Sequence, residues 1–373
     1  MSDITLILLC AGESSRFNND VKKHWLRVDH APLWSFVSSR FAKTSHFDKI
    51  LIVANPDEIE FMREFSDYEL ICGGSTRQES LKNAIQRVET SHILVSDVAR
   101  ACVDEELIQR MVDAKNSADV TVPYINVADT AAYNGNTINR DDLKLIQTPQ
   151  MSKTSSIRDA FKSNISFTDE SSAIVANGGS RNFVTGDENA HKLTFAKDLQ
   201  KLSCLDAPSR DVLVGNGFDV HGFEDGKKMS LCGVQIDSTF GFKAHSDGDV
   251  AIHALIDALL GAAGLGDIGM LFPDSDKKYE NIDSKELLKI TVSYLNRFGL
   301  EVVNVDVTIM AETPRLAPYK SLMRSTISSI LGIDKFRVNI KATTTEKLGF
   351  IGRKEGVGVM ATASLKYYDW TTL

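Results

Sequence analysis

Four short apolar runs, at residues 5–10, 50–54, 92–96 and 120–123, alternate in the first half of this chain with amphipathic stretches around 34–42, 56–65, 78–88 and 105–114. Runs of that length suit strands buried on both faces, and the stretches between them suit helices. The alternation predicts a mostly parallel sheet with helices on both sides, a Rossmann-like α/β layout. At 373 residues the chain exceeds what one core usually supports, so a second domain is expected. Its pattern differs. A strand carrying Asp219 and His221 is followed by helices over 249–262 and 284–298, a strand over 302–310, a helix over 319–331 and strands over 336–342 and 356–367. That order predicts a compact α/β sandwich. The polar stretch Asp206-Ala207-Pro208-Ser209-Arg210-Asp211 reads as a linker over 206–211, dividing domains 1–205 and 212–373.

Composition removes several function classes. An apolar share of 43% and a charged share of 25% are those of an ordinary globular protein, so no long disordered region is expected. A net charge of -8 opposes a nucleic-acid partner, and any small phosphorylated substrate would need local Arg, Lys or metal. Met1-Ser2-Asp3 has no basic segment and the apolar run after it is too short to span a bilayer, so a cytoplasmic protein without a membrane partner is expected. Cys10, Cys72, Cys102, Cys204 and Cys232 are odd in number, widely spaced and free of any C-x-x-C. They read as reduced thiols.

The densest chemistry lies at the start of the second half. Residues two apart on a strand share a face, so Asp219 and His221 can reach one ion side by side, with His253 on the following apolar helix as third ligand. A lone histidine on such a helix is ordinarily a packed core residue. Here Asp219, His221, His245, Asp247, Asp249 and His253 crowd together in a chain with 8 His in all. Three O and N ligands leave zinc one open position, which suits catalysis; a structural site closes with four, often Cys. Asp247 and Asp249 suit capping of the helix that carries His253.

In the first half, Cys10-Ala11-Gly12-Glu13-Ser14-Ser15-Arg16 follows the first strand and precedes Lys22-Lys23. Small residues there let backbone N–H groups approach phosphates, although a solvated turn would look the same. Asp97, at the carboxyl end of a later buried strand, lies where open α/β sheets bind ligands, and its carboxylate could hold Mg²⁺ against a triphosphate.

Longer strings add a resemblance. Ala11 to Arg16, Lys23, Gly73-Gly74-Ser75-Thr76-Arg77-Gln78-Glu79-Ser80, Asp97 to Arg100, Asp129-Thr130, Arg140, Gln147-Thr148-Pro149-Gln150, Thr168-Asp169-Glu170-Ser171 and His191-Lys192 resemble, in order, the 2-C-methyl-D-erythritol 4-phosphate cytidylyltransferases. That family usually has Pro where Lys22 stands, and Ala-Ala-Arg-Pro where Val98-Ala99-Arg100-Ala101 stands. Phe218-Asp219-Val220-His221, Ala244 to Val250, Gly266 to Gly269, Phe272 to Asp276 and Lys341 to Phe350 resemble the 2-C-methyl-D-erythritol 2,4-cyclodiphosphate synthases from end to end. Together they resemble the bifunctional enzymes of the non-mevalonate isoprenoid pathway; the kinase that acts between the two steps has no counterpart here.

The resemblance implies roles. In the transferase, Arg16, Lys23, Arg140 and Lys192 would be catalytic, with Ala11, Gly12, Gly74, Ser80 and Arg100 around CTP. Asp97 would hold Mg²⁺ (or Mn²⁺), and Arg140, Thr130 and Thr168 the sugar phosphate. In the synthase, Zn²⁺ or another divalent ion would sit on Asp219, His221 and His253, and Mg²⁺ on Glu346. His245 and Thr344 would stabilise the transition state. Ser246, Asp267, Ile268, Gly269, Phe272 and Asp276 would contact substrate, as would Thr343, Thr345, Phe350 and Arg353. Synthases of this kind build their site between subunits, which implies a homo-oligomer based on a trimer, trimeric or hexameric. Without the resemblance two other readings stand: a different nucleotidyltransferase in the first half, and a metal-stabilised binding module in the second.

Overall fold

The computed structural model describes residues 3–17, 19–162, 165–243, 247–273, 275–279 and 282–372. His245 and Ser246 lie outside the described residues. The chain divides into two compact units, Met1–Pro208 with Asp369–Leu373, and Ser209–Tyr368.

In the first unit the apolar runs become strands β1 (Ile4–Leu9), β2 (Lys49–Ala54), β4 (His92–Asp97) and β5 (Val120–Asn126), joined by β3 (Glu69–Cys72), β6 (Lys144–Ile146), β7 (Gln150–Lys153) and β8 (Arg181–Thr185). They form an eight-stranded sheet in the order β6-β5-β7-β4-β1-β2-β3, with β8 also on β5. β1 pairs in parallel with β2 and β4, and β3 with β2. β7, which sequence periodicity does not mark, enters antiparallel between β4 and β5. Helices α1 (Leu33–Lys43), α2 (Arg77–Ile85) and α3 (Glu105–Asp113) match the amphipathic stretches. Asp104 and Thr76 accept from the Leu107 and Glu79 N–H groups and so cap α3 and α2. β1 and β4 lie side by side where the strand order reverses, so a crevice opens at their carboxyl ends.

In the second unit β9 (Leu213–Asp225), β10 (Phe240–Phe242), β11 (Leu300–Met310), β12 (Val338–Thr343) and β13 (Gly356–Tyr367) form a sheet in the order β10-β9-β13-β11-β12. Helices α4 (Val250–Ala263), α5 (Ser284–Arg297) and α6 (Lys320–Leu331) bury its inner face, where Val305, Val307, Ile309, Val357, Val359 and Ala361 pack with Leu255 and Leu259. The other face keeps Val214, Phe218 and Met360 more than half exposed. α4 lies directly on β9, because Gly215 and Gly217 present only backbone there; a Cβ at either would collide with the carbonyl oxygen of Ala258 or Ala254.

Two expectations need correction. Cys102 and Cys204 form a disulfide, with Cα atoms 5.6 Å apart across 102 residues of sequence; Cys10 and Cys232 stay buried thiols and Cys72 an exposed one. Spacing along the chain carried no sign of a pair that only tertiary folding brings together. The second departure is at the tail. Asp369–Leu373 packs with the first unit, where the Trp370 indole N–H donates to the Arg27 carbonyl at 2.6 Å; a large ring with one polar handle buries where an acceptor waits.

Candidate active sites

The crevice in the first unit is a cavity of about 510 Å³ lined by the carboxyl ends of β1, β2 and β4 and the loop after β3. Ala11, Gly12, Arg16, Lys23, Gly74, Ser80, Asp97 and Lys192, all singled out from sequence, line it together. Lys192 Nζ donates to Asp97 Oδ2 at 2.7 Å, and Arg77 Nε to Asp97 Oδ1 at 3.3 Å. Burial alone would raise the Asp97 pKa, but the Arg77 and Lys192 charges hold it well below the usual carboxylate range. Lys23 donates to the Leu193 carbonyl at 3.3 Å. Burial first, then the neighbouring Lys192 charge, lowers its pKa. Cationic side chains therefore outnumber carboxylates in the crevice, and two of them, Arg77 and Lys192, are bonded to Asp97.

Other predicted residues do not line this cavity. Arg100 donates to Thr148 Oγ1 at 2.8 Å and to the Ala190 carbonyl at 2.6 Å. Thr130 and Thr168 are exposed, and exposed Arg140 donates to the Ala128 carbonyl at 2.5 Å beside a hairpin of Ala131–Tyr133 and Asn136–Ile138.

In the second unit, ligand atoms of Asp219, His221 and His253 lie within 4.8 Å of one another, a possible metal site. His221 Nε2 and His253 Nδ1 lie 3.3 Å and 3.4 Å from Asp219 Oδ2. Their other ring nitrogens are held, His221 Nδ1 by the Gly248 carbonyl at 2.9 Å and His253 Nε2 by Ser284 Oγ at 3.0 Å. Such outer contacts fix ring orientation, so this donor set fits a divalent ion with an open position. Burial would raise the Asp219 pKa; the His253 hydrogen bond and the His221 charge outweigh it and lower it. Of the two expected caps only Asp249 acts as one, accepting from Ile252 N at 3.1 Å, and burial pushes its pKa up to about 6. Asp247 instead accepts from Ser284 Oγ at 2.5 Å, behind His253.

Asp267 caps the turn of helix Ile268–Leu271 through Met270 N at 2.9 Å, with Gly269 exposed on it, and Phe272 is buried against Tyr279. Exposed Asp276 accepts from Lys278 N at 3.0 Å. Thr343, Thr344, Thr345 and Glu346 follow at the end of β12; Thr344 Oγ1 donates to Glu346 Oε1 at 3.0 Å, and Glu346 and Lys347 have φ of 53° and 64°. Glu312 holds that left-handed turn, accepting from Thr345 N at 3.0 Å and Lys347 N at 3.1 Å. Phe350 is exposed beyond it, and Arg353 pairs with Glu355 at 2.8 Å.

Residues 4–204 match the family 2-C-methyl-D-erythritol 4-phosphate cytidylyltransferase, and residues 212–366 match the YgbB family. A protein of Sulfurimonas denitrificans named bifunctional enzyme IspD/IspF is 60% identical over 370 residues, covering 99% of this chain and 96% of that one. One of the same name from Aliarcobacter butzleri is 50% identical over 371 residues, 99% of each chain. The solved structure of the bifunctional IspDF from Campylobacter jejuni superposes with a TM-score of 0.94 at 48% identity, covering 99% of this chain and 100% of that one.

The chain belongs to the bifunctional IspD/IspF family. Its first half is a cytidylyltransferase and its second a cyclodiphosphate synthase of the non-mevalonate isoprenoid pathway. Within the IspD half, sequence reasoning gave Arg77 no role, although it lines the crevice and also pairs with buried Glu170 at 2.5 Å. A signal existed: an arginine in the first turn of a helix opposes the helix dipole and so needs carboxylates to hold it. Within the IspF half, Ser284 and Glu312 were missed, since a serine at a helix start and a lone glutamate carry no mark of what they support.

Proposed function

We propose that the crevice of the first unit binds the CTP triphosphate and that the 4-phosphate of methylerythritol phosphate attacks its α-phosphorus, expelling pyrophosphate. Arg16, Lys23 and Lys192 neutralise charge as it spreads over the phosphoryl oxygens. Ala11, Gly12, Gly74 and Ser80 let backbone groups approach the nucleotide, and Arg100 braces the wall through Thr148. The observation carrying this reading is the convergence of three cationic side chains and ionised Asp97 on one cavity. Asp97 offers the hard oxygen that Mg²⁺ or Mn²⁺ favours. Arg140, Thr130 and Thr168 bind the sugar phosphate, which sits beyond the cavity wall.

In the second unit, the 2-phosphate of the diphosphocytidyl substrate attacks its own β-phosphorus and releases CMP. Asp219, His221 and His253 would hold Zn²⁺, which would supply Lewis-acid charge to the phosphates, and Glu346 suits Mg²⁺. The Thr344 hydroxyl, with His245 in sequence, meets the charge of the transition state; Asp267 takes the erythritol hydroxyls, and Phe272, Thr345 and Arg353 shape the remainder.

Register supports assembly. Val220, Gly358, Met310 and Thr343 align across four strands, which sets the metal strand and the Thr343–Glu346 end about 14 Å apart in one chain. One diphosphate does not span that gap, so a neighbouring copy completes the site, and the half-exposed Val214, Phe218 and Met360 face gives copies an apolar contact. The assembly is a trimer or hexamer. Among the described residues no helix is long and apolar enough to cross a membrane, and soluble substrates favour the cytoplasm; the disulfide removes the thiol argument for that compartment. Phosphorus NMR of the chain with CTP and methylerythritol phosphate tests the first reaction: pyrophosphate and the diphosphocytidyl product support it, and unchanged CTP contradicts it.

A further inference from the structure

Lys23 is set in a short turn, Lys23–Trp25, whose flanks are gripped from below. Glu58, 2% exposed, accepts from Lys22 Nζ at 2.6 Å and from the Trp25 indole N–H at 2.8 Å, and bonds His24 Nε2 at 2.6 Å. The residues on either side of Lys23 are therefore fixed by one carboxylate, and Lys23 itself is left to face the crevice. Trp25 stacks on Phe61 with centroids 5.1 Å apart, and the Arg27 guanidinium lies over Trp25 and Phe65 at 5.7 Å and 5.0 Å.

Arg27 opens a small hairpin, Arg27–Val28 with Ala31–Pro32, and two remote pieces of chain hold that hairpin. Asp29 N donates to the Ala207 carbonyl at 3.2 Å, and the Trp370 indole donates to the Arg27 carbonyl at 2.6 Å. Trp370 and Arg27 are 9% and 3% exposed. The segment around Trp370 is a formed turn, since Asp369 accepts from Thr371 N at 3.0 Å and from Thr371 Oγ1 at 2.5 Å. Ala207 lies where the chain leaves the first unit, and Asp369 where it returns.

We propose that Asp369–Leu373 is a working part of the cytidylyltransferase unit, with Trp370 a positioning residue for Lys23. The contacts run without a break from Trp370 through Arg27, Trp25 and Glu58 to the turn that presents Lys23. Removing Trp370 frees the Arg27 end of the hairpin, and the turn loses the stop that sets where the Lys23 ammonium sits. A charge-stabilising group displaced by a fraction of an ångström acts weakly on the phosphoryl oxygens. The transferase reaction thus depends on a segment that follows the last strand of the synthase unit. The proposal rests on Lys23 being a triphosphate ligand.

The test uses three full-length variants, Trp370→Ala, Trp370→Phe and Lys23→Ala, and a chain stopped after Tyr368, each assayed for both reactions. The expected result is a fall of about fivefold or more in kcat/KM for CTP in Trp370→Ala and in the shortened chain, the scale of one lost hydrogen bond, with the alkaline limb of the pH-rate profile moved upward as Lys23 leaves its buried setting. The KM for methylerythritol phosphate and the rate of cyclisation stay within about twofold, because the synthase shares no partner with Trp370. Trp370→Phe keeps a six-membered aromatic ring and loses the five-membered ring with its N–H, so about a threefold fall in kcat/KM is expected; it carries the test if the shortened chain unfolds. An unchanged kcat/KM for CTP in Trp370→Phe and Trp370→Ala overturns the proposal. So does a fall in kcat with the alkaline limb of the pH-rate profile unmoved, which marks fewer folded molecules, each normal. Wild-type behaviour of Lys23→Ala refutes the reading of Lys23 instead, and an impaired Lys23→Ala beside normal Trp370 variants refutes only the positioning role.

Discussion

Lys192 and Asp97, 95 residues apart in sequence, meet at 2.7 Å across the mouth of the first-unit crevice. The contact brings a lysine from the end of that unit onto the strand next to the glycine-containing loop, and with Arg77 it keeps Asp97 ionised. Replacing Lys23 or Arg16 by Ala is expected to lower kcat for pyrophosphate release by about two orders of magnitude, the scale of one lost charge-stabilising donor. Lys23 also predicts a pH effect. Its pKa is lowered by burial and by Lys192, and only the protonated form neutralises phosphate, so transfer should fall on the alkaline side at a pH below that of an ordinary lysine. Lys23→Arg should move that limb upward; a pH-rate profile identical in the two proteins contradicts the assignment.

Glu58 ties stability of the same unit to pH. Burial would raise its pKa, but hydrogen bonds and charge from His24 and Lys22 hold it at about 2, against 4.5 for a free glutamate. A lowered folded-state pKa contributes stability that is complete above 4.5 and is lost as pH falls toward 2, about 3 kcal/mol in all. The gap in urea midpoint between wild type and Glu58→Gln should therefore narrow as pH is taken from 6 to 3. Trp25, Trp34 and Trp370, the three tryptophans, all belong to the first unit, so their fluorescence reads it alone.

The Cys102–Cys204 disulfide closes a loop of 102 residues. Reduction, or Cys204→Ser, should cost the first unit about 2–4 kcal/mol, since a long loop regains much chain entropy when opened. Tryptophan fluorescence during thermal unfolding with and without dithiothreitol checks this. Coincident curves would mean that the thiols are unpaired in solution.

Much of this was legible in the sequence, for physical reasons. β4 is fully buried and β1 is buried but for Leu9 at its end, so neither has polar alternation to blur it, and the long strand and helix patterns of the synthase half are amphipathic enough to read. Asp219 and His221 share a face by strand geometry alone, and His253 follows one helical turn after the Asp249 cap. What stayed hidden depends on pairing at a distance. β7, short and flanked by a proline at 149, gains its place only from its neighbours on both sides. Ser284 supports His253 and Glu312 supports the Glu346 turn through contacts that span 31 and 33 residues or more. The disulfide and the docking of Trp370 are of the same kind.

Assembly has its own prediction. If a neighbouring copy completes the synthase site, the active species sediments as a multiple of three protomers. Phe218→Lys, on the half-exposed sheet face, should dissociate it and reduce cyclisation, because burying an unpaired charge is costly. A fully active monomer at assay concentration would falsify this arrangement.

The proposed function rests most heavily on two independent sites in one chain, with zinc proposed only for the second. His253→Ala removes one of three ligands whose atoms lie within 4.8 Å, and zinc content, CMP release and pyrophosphate release are then measured on the same purified protein. The expected result is a steep loss of zinc and of cyclisation, with cytidylyl transfer kept within about threefold of wild type, as for sites that share no partners. Cyclisation that survives the loss of His253, or transfer that vanishes with it in a folded protein, contradicts the account.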